Sequence, residues 1–238
     1  YTEGMLGTFT NSNPLYATGS ADIAVAKLVF SGLLKYDTAN QLVGDLAQGW
    51  DLNDKETRYV VTLKKDIKWH DGQPFNADDV VFTYQTIQNS DAQSSLLTSW
   101  QGIKVSKQDD YVVSFDLFPH ALVNGIVPEH LLKDIPVVQL RSASFNTAPV
   151  GTGPFKWKFV EVKGGDNKTR EQRVTLAPYS DYHFGAPKLD GFTLRTFRDE
   201  QVLMDSFANN ELTGVSGLDY LPEDFTKDLS VEPKYLPL

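Results

Sequence analysis

The stretch from Tyr59 to Ile87, "YVVTLKKDIKWHDGQPFNADDVVFTYQTI", constrains the fold more than any other part of the chain. From Arg58 to Leu63 the residues alternate, with Tyr59, Val61 and Leu63 on one face and Val60 and Thr62 on the other, the period of a strand. Asp71-Gly72 is a turn pair, because glycine takes positive φ without steric cost. Asn76 is a good helix N-cap, and Asp78 and Asp79 fall in the first turn, where carboxylates meet the positive end of the helix dipole. Asp79 stands where a capping box bonds back toward the cap. Val80, Tyr84 and Ile87 then recur at helical spacing, with Val81 beside them, and predict the buried stripe. Strand, turn and capped helix follow from local chemistry alone.

The same segment collects His70, Asp71, Asp78 and Asp79, which raises the alternative of a catalytic or metal site. Paired catalytic carboxylates need different environments across a cleft. Adjacent helical residues point about 100° apart, so Asp78 and Asp79 cannot face one substrate atom together. A metal site would need a ligand two or four residues from His70, and His120, His130 and His183 do not supply that spacing. The segment reads as scaffold, with no catalytic and no metal-ligating residues. "GTGPF" at Gly151–Phe155 lacks the Lys-Ser/Thr ending of a phosphate loop and reads as a tight crossing into a strand. GxSxG, HExxH and GxGxxG do not occur. Asp51-Leu52-Asn53-Asp54 lacks the spaced ligands and closing glutamate of a calcium loop.

Bulk properties narrow the class further. The 238 residues carry a net charge of −9 with no dense Lys/Arg cluster, which argues against nucleic acid and anionic membrane surfaces as partners. The absence of cysteine removes disulfides and thiolate chemistry. No apolar run approaches the ~18 residues of a membrane span. The length suits one or two domains at roughly 100–200 residues each. The chain opens on Tyr1 and stops at "VEPKYLPL", so a processed start and a continuation beyond Leu238 are expected.

Elsewhere the pattern is mixed. "EGMLGTFTNSNPLY" reads as a strand breaking at Asn11–Pro14, followed by a helix capped by Asp22 with Ile23, Ala26, Val29, Phe30 and Leu33 inward and Gly32 near its end. Strands are expected at Gly49–Leu52, at Ile103–Val105 paired with Tyr111–Leu117 around a turn at Lys107–Asp110, at Phe155–Val162, Arg173–Ala177 and Gly191–Phe197. Helices are expected near Pro128–Lys133 and Glu200–Asn209. "KGGDNKTREQ" reads as a polar hairpin tip, and its Asn167-Lys168-Thr169 matches a glycosylation triplet that is frequent by chance. Trp50 and Trp69 sit beside strand apolar positions and read as core, whereas the polar setting of Trp100 leaves a ligand platform open.

The whole arrangement resembles a known family. "LVFSGLLKYD", "LVGDLAQGWDLNDKETRYVVTLKKDIKWHDGQPFNADDVVFTYQTI", "PVGTGPFKWKFVE", "VTLAPYSDYHFGAPKLDGFTLRTFRDE" and "MDSFANNELTGVSGL" occur in the order and spacing of the extracellular solute-binding proteins, family 5, the receptors of peptide and nickel ABC importers. Two departures are Thr213 where the family usually has Asp, and His183-Phe184 where an aromatic usually comes one residue earlier. The resemblance implies a mixed α/β fold like a type II periplasmic binding protein. Residues 1–38 and 148–238 would form a first lobe, residues 39–147 a smaller β-rich domain inserted in it, and a second lobe would begin beyond residue 238.

It further implies binding without catalysis or cofactor: capture of oligopeptides in the periplasm, or at the outer face as an anchored lipoprotein, and delivery to an ABC permease by closure of two lobes. Carried over position by position, the ligand contacts would be Thr18, Gly19, Ser20 and Ala21 after the first strand, Ser95 and Leu96 after the "FTYQTI" helix, and Ser216 and Gly217 after "ELTGV". An ordinary turn or helix end explains each of these equally well. Within the family, nickel chelate, haem or oligosaccharide are alternative ligands, and a peptide-signal sensor is an alternative role. A glycosidase is favoured only by the abundance of Asp and Glu. An exposed cleft face could also pair two copies of the chain as a dimer.

Overall fold

In the computed structural model, residues 1–53, 57–116, 122–165 and 170–218 are described. Two main sheets organise them. The first contains β1 (Thr2–Leu6), β8 (Phe155–Lys163), β9 (Glu171–Pro178), β10 (Phe192–Phe197) and β11 (Gly214–Ser216), in the order β11-β1-β10-β9-β8. β1 runs parallel to both β10 and β11, and the remaining pairs are antiparallel. The second is antiparallel, with β4 (Ala47–Leu52), β5 (Arg58–Leu63), β6 (Lys104–Asp109) and β7 (Val112–Asp116) in the order β4-β5-β7-β6. A two-stranded ribbon, β2 (Leu34–Tyr36) with β3 (Leu42–Gly44), lies between them in the chain.

The helices follow their caps and stripes. α2 (Ala77–Gln88) begins at Asn76, whose side chain accepts from Asp78 N, while the Asp79 carboxylate accepts from Asn76 N; the capping box is complete. Val80, Tyr84 and Ile87 are fully buried, as their spacing predicts. α2 packs over β6 and β7. Trp69 is core as expected. Trp50 is not: it sits on the edge strand that α2 does not cover and stays 38% exposed. Trp100, in the short α3 (Leu97–Trp100), is fully buried and stacks on Tyr84 at 3.9 Å, so it presents no face to a ligand.

Strand and helix bounds elsewhere move by a few residues. β6 runs on through the expected turn to Asp109, with a bulge between Lys107 and Asp109 that lets it continue. α4 is Glu129–Leu132 and α5 is Glu200–Ala208. The Asn167–Thr169 triplet, Asp54, Leu117, His120 and the "VEPKYLPL" end lie outside the described residues.

The structure shows what the WHDG segment holds together. His70 N donates to Gly151 O at 2.9 Å, and the His70 ring lies between Gly153 O at 2.9 Å and Gly151 N at 3.2 Å. A carbonyl can only accept and an N–H can only donate, so Nε2 carries the proton and Nδ1 accepts: a neutral imidazole with both nitrogens used. Gly151 and Gly153 press against the carbonyl end of α1 (Ser20–Val29), and a Cβ on either would collide with the backbone of Leu28 or Val29. Gly153 N completes the crossing by donating to Val29 O at 2.8 Å. One histidine thus fastens the start of the second sheet's helix region to the crossing that feeds β8.

The neighbouring carboxylates point apart. Asp71 meets His130 Nε2 at 2.8 Å, Asp78 meets Lys107 Nζ at 2.8 Å, and Asp79 accepts from Glu129 N at 2.9 Å. Among the described residues no three His, Asp or Glu side chains converge as a metal site.

Burial pushes the His70 imidazole down from 6.5 to about 4, the Gly153 carbonyl only partly opposing it. The unfolded chain takes up this proton near pH 6.5 and the folded chain does not. The His70 contribution to stability is therefore complete above pH 6.5 and drains as the pH falls toward 4. Urea unfolding should show a loss of roughly 3 kcal/mol over that window from this group. His70→Gln should start less stable at pH 7 and fall less steeply.

Candidate functional site

The loop between β1 and α1 is held by two side chains rather than by regular structure. Asp22 is buried in the first turn of α1, but it does not cap the helix. The N-cap is Gly19, which makes no side-chain bond. The Asp22 carboxylate turns instead to the preceding loop, accepting from Thr10 N at 2.7 Å, Thr10 Oγ1 at 2.7 Å and Asn11 N at 3.1 Å. Gln172 on β9 clasps the same loop: its Oε1 accepts from Phe9 N and its Nε2 donates to Phe9 O, both at 2.8 Å. A single amide thus satisfies both backbone groups of Phe9, as a paired strand would.

Around this loop three remote segments meet. Ser216 pairs with Met5 across β11 and β1, and Gly217, at φ +73°, follows beside Met5. Gly19 lies next to Thr8, two residues past the end of β1. Ser94 Oγ donates to Leu15 O at 2.7 Å, which seats residues 94–96 against the loop. Thr18, Gly19, Ser20, Ser95 and Gly217 are exposed, and Leu96 and Ser216 are half-buried. Ala21 is not available as a contact: it is 1% exposed, because it faces the sheet on the packed side of α1. Ile23 departs in the opposite sense, standing 39% exposed because the buried side of α1 is formed by Ala21, Val25 and Val29. The carboxyl ends of parallel strands, with the loops that leave them, are where open α/β sheets bind ligands. Here β1 and β11 end together at the exposed residues.

From this loop a cavity of about 610 Å³ runs along α1. Ala17, Ile23 and Leu96 line it near the loop, and Phe30, Tyr36 and Tyr182 line it farther on. Burial, with the Asp45 charge, pushes the Tyr182 hydroxyl up to about 12, so it is a neutral donor and acceptor. Asp45 itself accepts from His183 Nε2 at 2.8 Å, both side chains being buried. Nothing in the periodicity of the sequence links residues 36, 124 and 182; only the tertiary structure brings them to one cavity wall.

Comparison with known proteins agrees with this architecture. The profile described as "Bacterial extracellular solute-binding proteins, family 5 Middle" matches residues 41–234. The oligopeptide-binding protein AppA of Bacillus subtilis (strain 168) is 34% identical over 206 residues, covering 82% of this chain and 36% of that protein. Its structure in complex with a nonapeptide superposes with a TM-score of 0.79 at 30% identity, over 89% of this chain and 42% of that one. NikZ from Campylobacter jejuni in complex with Ni(L-His) gives a TM-score of 0.77 at 28% identity, over 89% and 42%. The chain therefore spans well under half the length of these relatives.

The Asp22 clasp is testable by substitution. Asp22→Ala leaves three donors without their acceptor and should lower stability by roughly 2–4 kcal/mol in urea unfolding. Amide exchange at Thr10 and Asn11 should accelerate more than at β9. A loss below 0.5 kcal/mol would mean the loop is held by other contacts.

Proposed function

This chain belongs to family 5 of the bacterial extracellular solute-binding proteins, and from that premise we propose that it is one jaw of a two-lobed receptor that captures oligopeptides outside the membrane and delivers them to an ABC permease. Residues 1–38 and 148–238 form the lobe proper and residues 39–147 the smaller domain inserted in it. In support of this division, each of the two larger sheets draws its strands from one of the two parts.

The observation that supports the ligand reading is that Gly19 and Ser216–Gly217 lie beside the end of β1, while Ser94 seats the Ser95–Leu96 segment against the same β1–α1 loop at Leu15. Exposed residues there flank a helix start without a side-chain cap and a strand end, the kind of surface that holds a peptide main chain by hydrogen bonds and tolerates varied side chains. Contacts made only in the closed form shift the open–closed equilibrium, and no further than that difference in affinity. Nickel chelate as cargo is the second reading, favoured by the likeness to NikZ. No histidine lies among the exposed residues at the β1 end, which makes direct imidazole ligation from this jaw the weaker account.

Calorimetry decides between them. A longer protein containing this chain and a second lobe should bind mixed tri- to pentapeptides and ignore nickel-histidine. The 238-residue chain alone should show no heat with micromolar peptide, because half of the clamp is lacking. Tight nickel-histidine binding without peptide binding would replace the first reading with the second.

A further inference from the structure

The cavity beside α1 carries more cationic charge than the structure neutralises. Lys27 and Lys35 line it, and Lys64 lies close enough to Asp45 and Lys35 to feel both charges. Among the described residues none of the three forms an ion pair. Asp45, a carboxylate that lines the same cavity and is felt by Lys64, is already engaged by His183. Two of the ammonium groups rest instead on one aromatic ring: Lys35 Nζ and Lys64 Nζ lie 3.3 Å and 4.1 Å from the centroid of Phe184. A ring face attracts a cation but supplies no counter-charge. This local excess stands on a chain whose net charge is −9.

The rest of the wall is apolar and left open. Ile23, Tyr36 and Val123 are 39%, 59% and 41% exposed at the rim, and Phe30 and Leu34 form the floor. The volume, about 610 Å³, lies within the range that holds a drug-sized molecule. Asn124 adds a buried amide nitrogen that has no acceptor among the described residues.

We propose that this cavity, which touches the proposed peptide contacts at Leu96, is a further binding site, and that it takes an apolar carboxylic acid, with the hydrocarbon or aromatic body against Phe30, Leu34 and Tyr36 and the carboxylate toward Lys27 and Lys35. The site needs both halves of such a ligand. An alcohol of the same body gains the apolar contact without the charge, and an amine meets two like charges.

Titration of the purified protein with octanoate, octanol and octylammonium, followed by calorimetry and by amide shifts of residues 23–36, tests this. Octanoate should bind at least tenfold more tightly than either congener, with shifts confined to the cavity wall. The Lys27→Gln/Lys35→Gln double variant, on exposed or half-exposed positions, should fold normally and lose roughly tenfold in octanoate affinity while octanol binding is unchanged. Equal binding of the three congeners, an unaltered octanoate affinity in the double variant, or no shifts at residues 23–36 would overturn the assignment. Neither Lys27 nor Lys35 is among the proposed peptide contacts, so the effect of the double variant on octanoate is read independently of whether peptides bind.

Discussion

The close crossing of residues 151–153 beneath the end of α1 is the constraint on which the remaining structure depends. Two glycines allow backbone to meet backbone there, and the neutral His70 ring closes the crossing from the other side with both of its nitrogens. Through this contact the first sheet, the helix α1 and the WHDG turn become one body with a continuous core. Burial keeps the ring neutral, and a protonated His70 would leave Gly151 N facing a second donor.

The β1–α1 loop departs from that body. The β1–α1 loop has no ladder of its own, so a carboxylate and an amide side chain do the work of a strand partner. The arrangement keeps Gly19 and Ser20 uncapped and exposed beside the ends of β1 and β11.

Charge is distributed unevenly on this scaffold. The acid-rich exterior gives the chain its low isoelectric point, near 4.9, yet the groove along α1 gathers lysines that are not paired among the described residues. A carboxylate there would neutralise charge that the Phe184 ring can only attract.

The hairpin strands β5 and β7, the capped helix α2 and its stripe of Val80, Tyr84 and Ile87 were legible in the sequence, because alternation, turn chemistry and capping act within a few residues of each other. The reading of His70 and its aspartates as scaffold rested on the same local logic. What local logic could not reach were partners distant in the chain. Asp22 looks like a cap until Thr10 and Asn11 are seen beside it, and Trp50 looks like core until the edge position of β4 is known. Trp100 looks exposed until Tyr84 is stacked upon it. Sequence determined which segments become strands and helices, since those preferences are written in residue spacing. Tertiary structure alone decided which faces are covered and which side chains line a cavity, since burial is set by neighbours dozens of residues away.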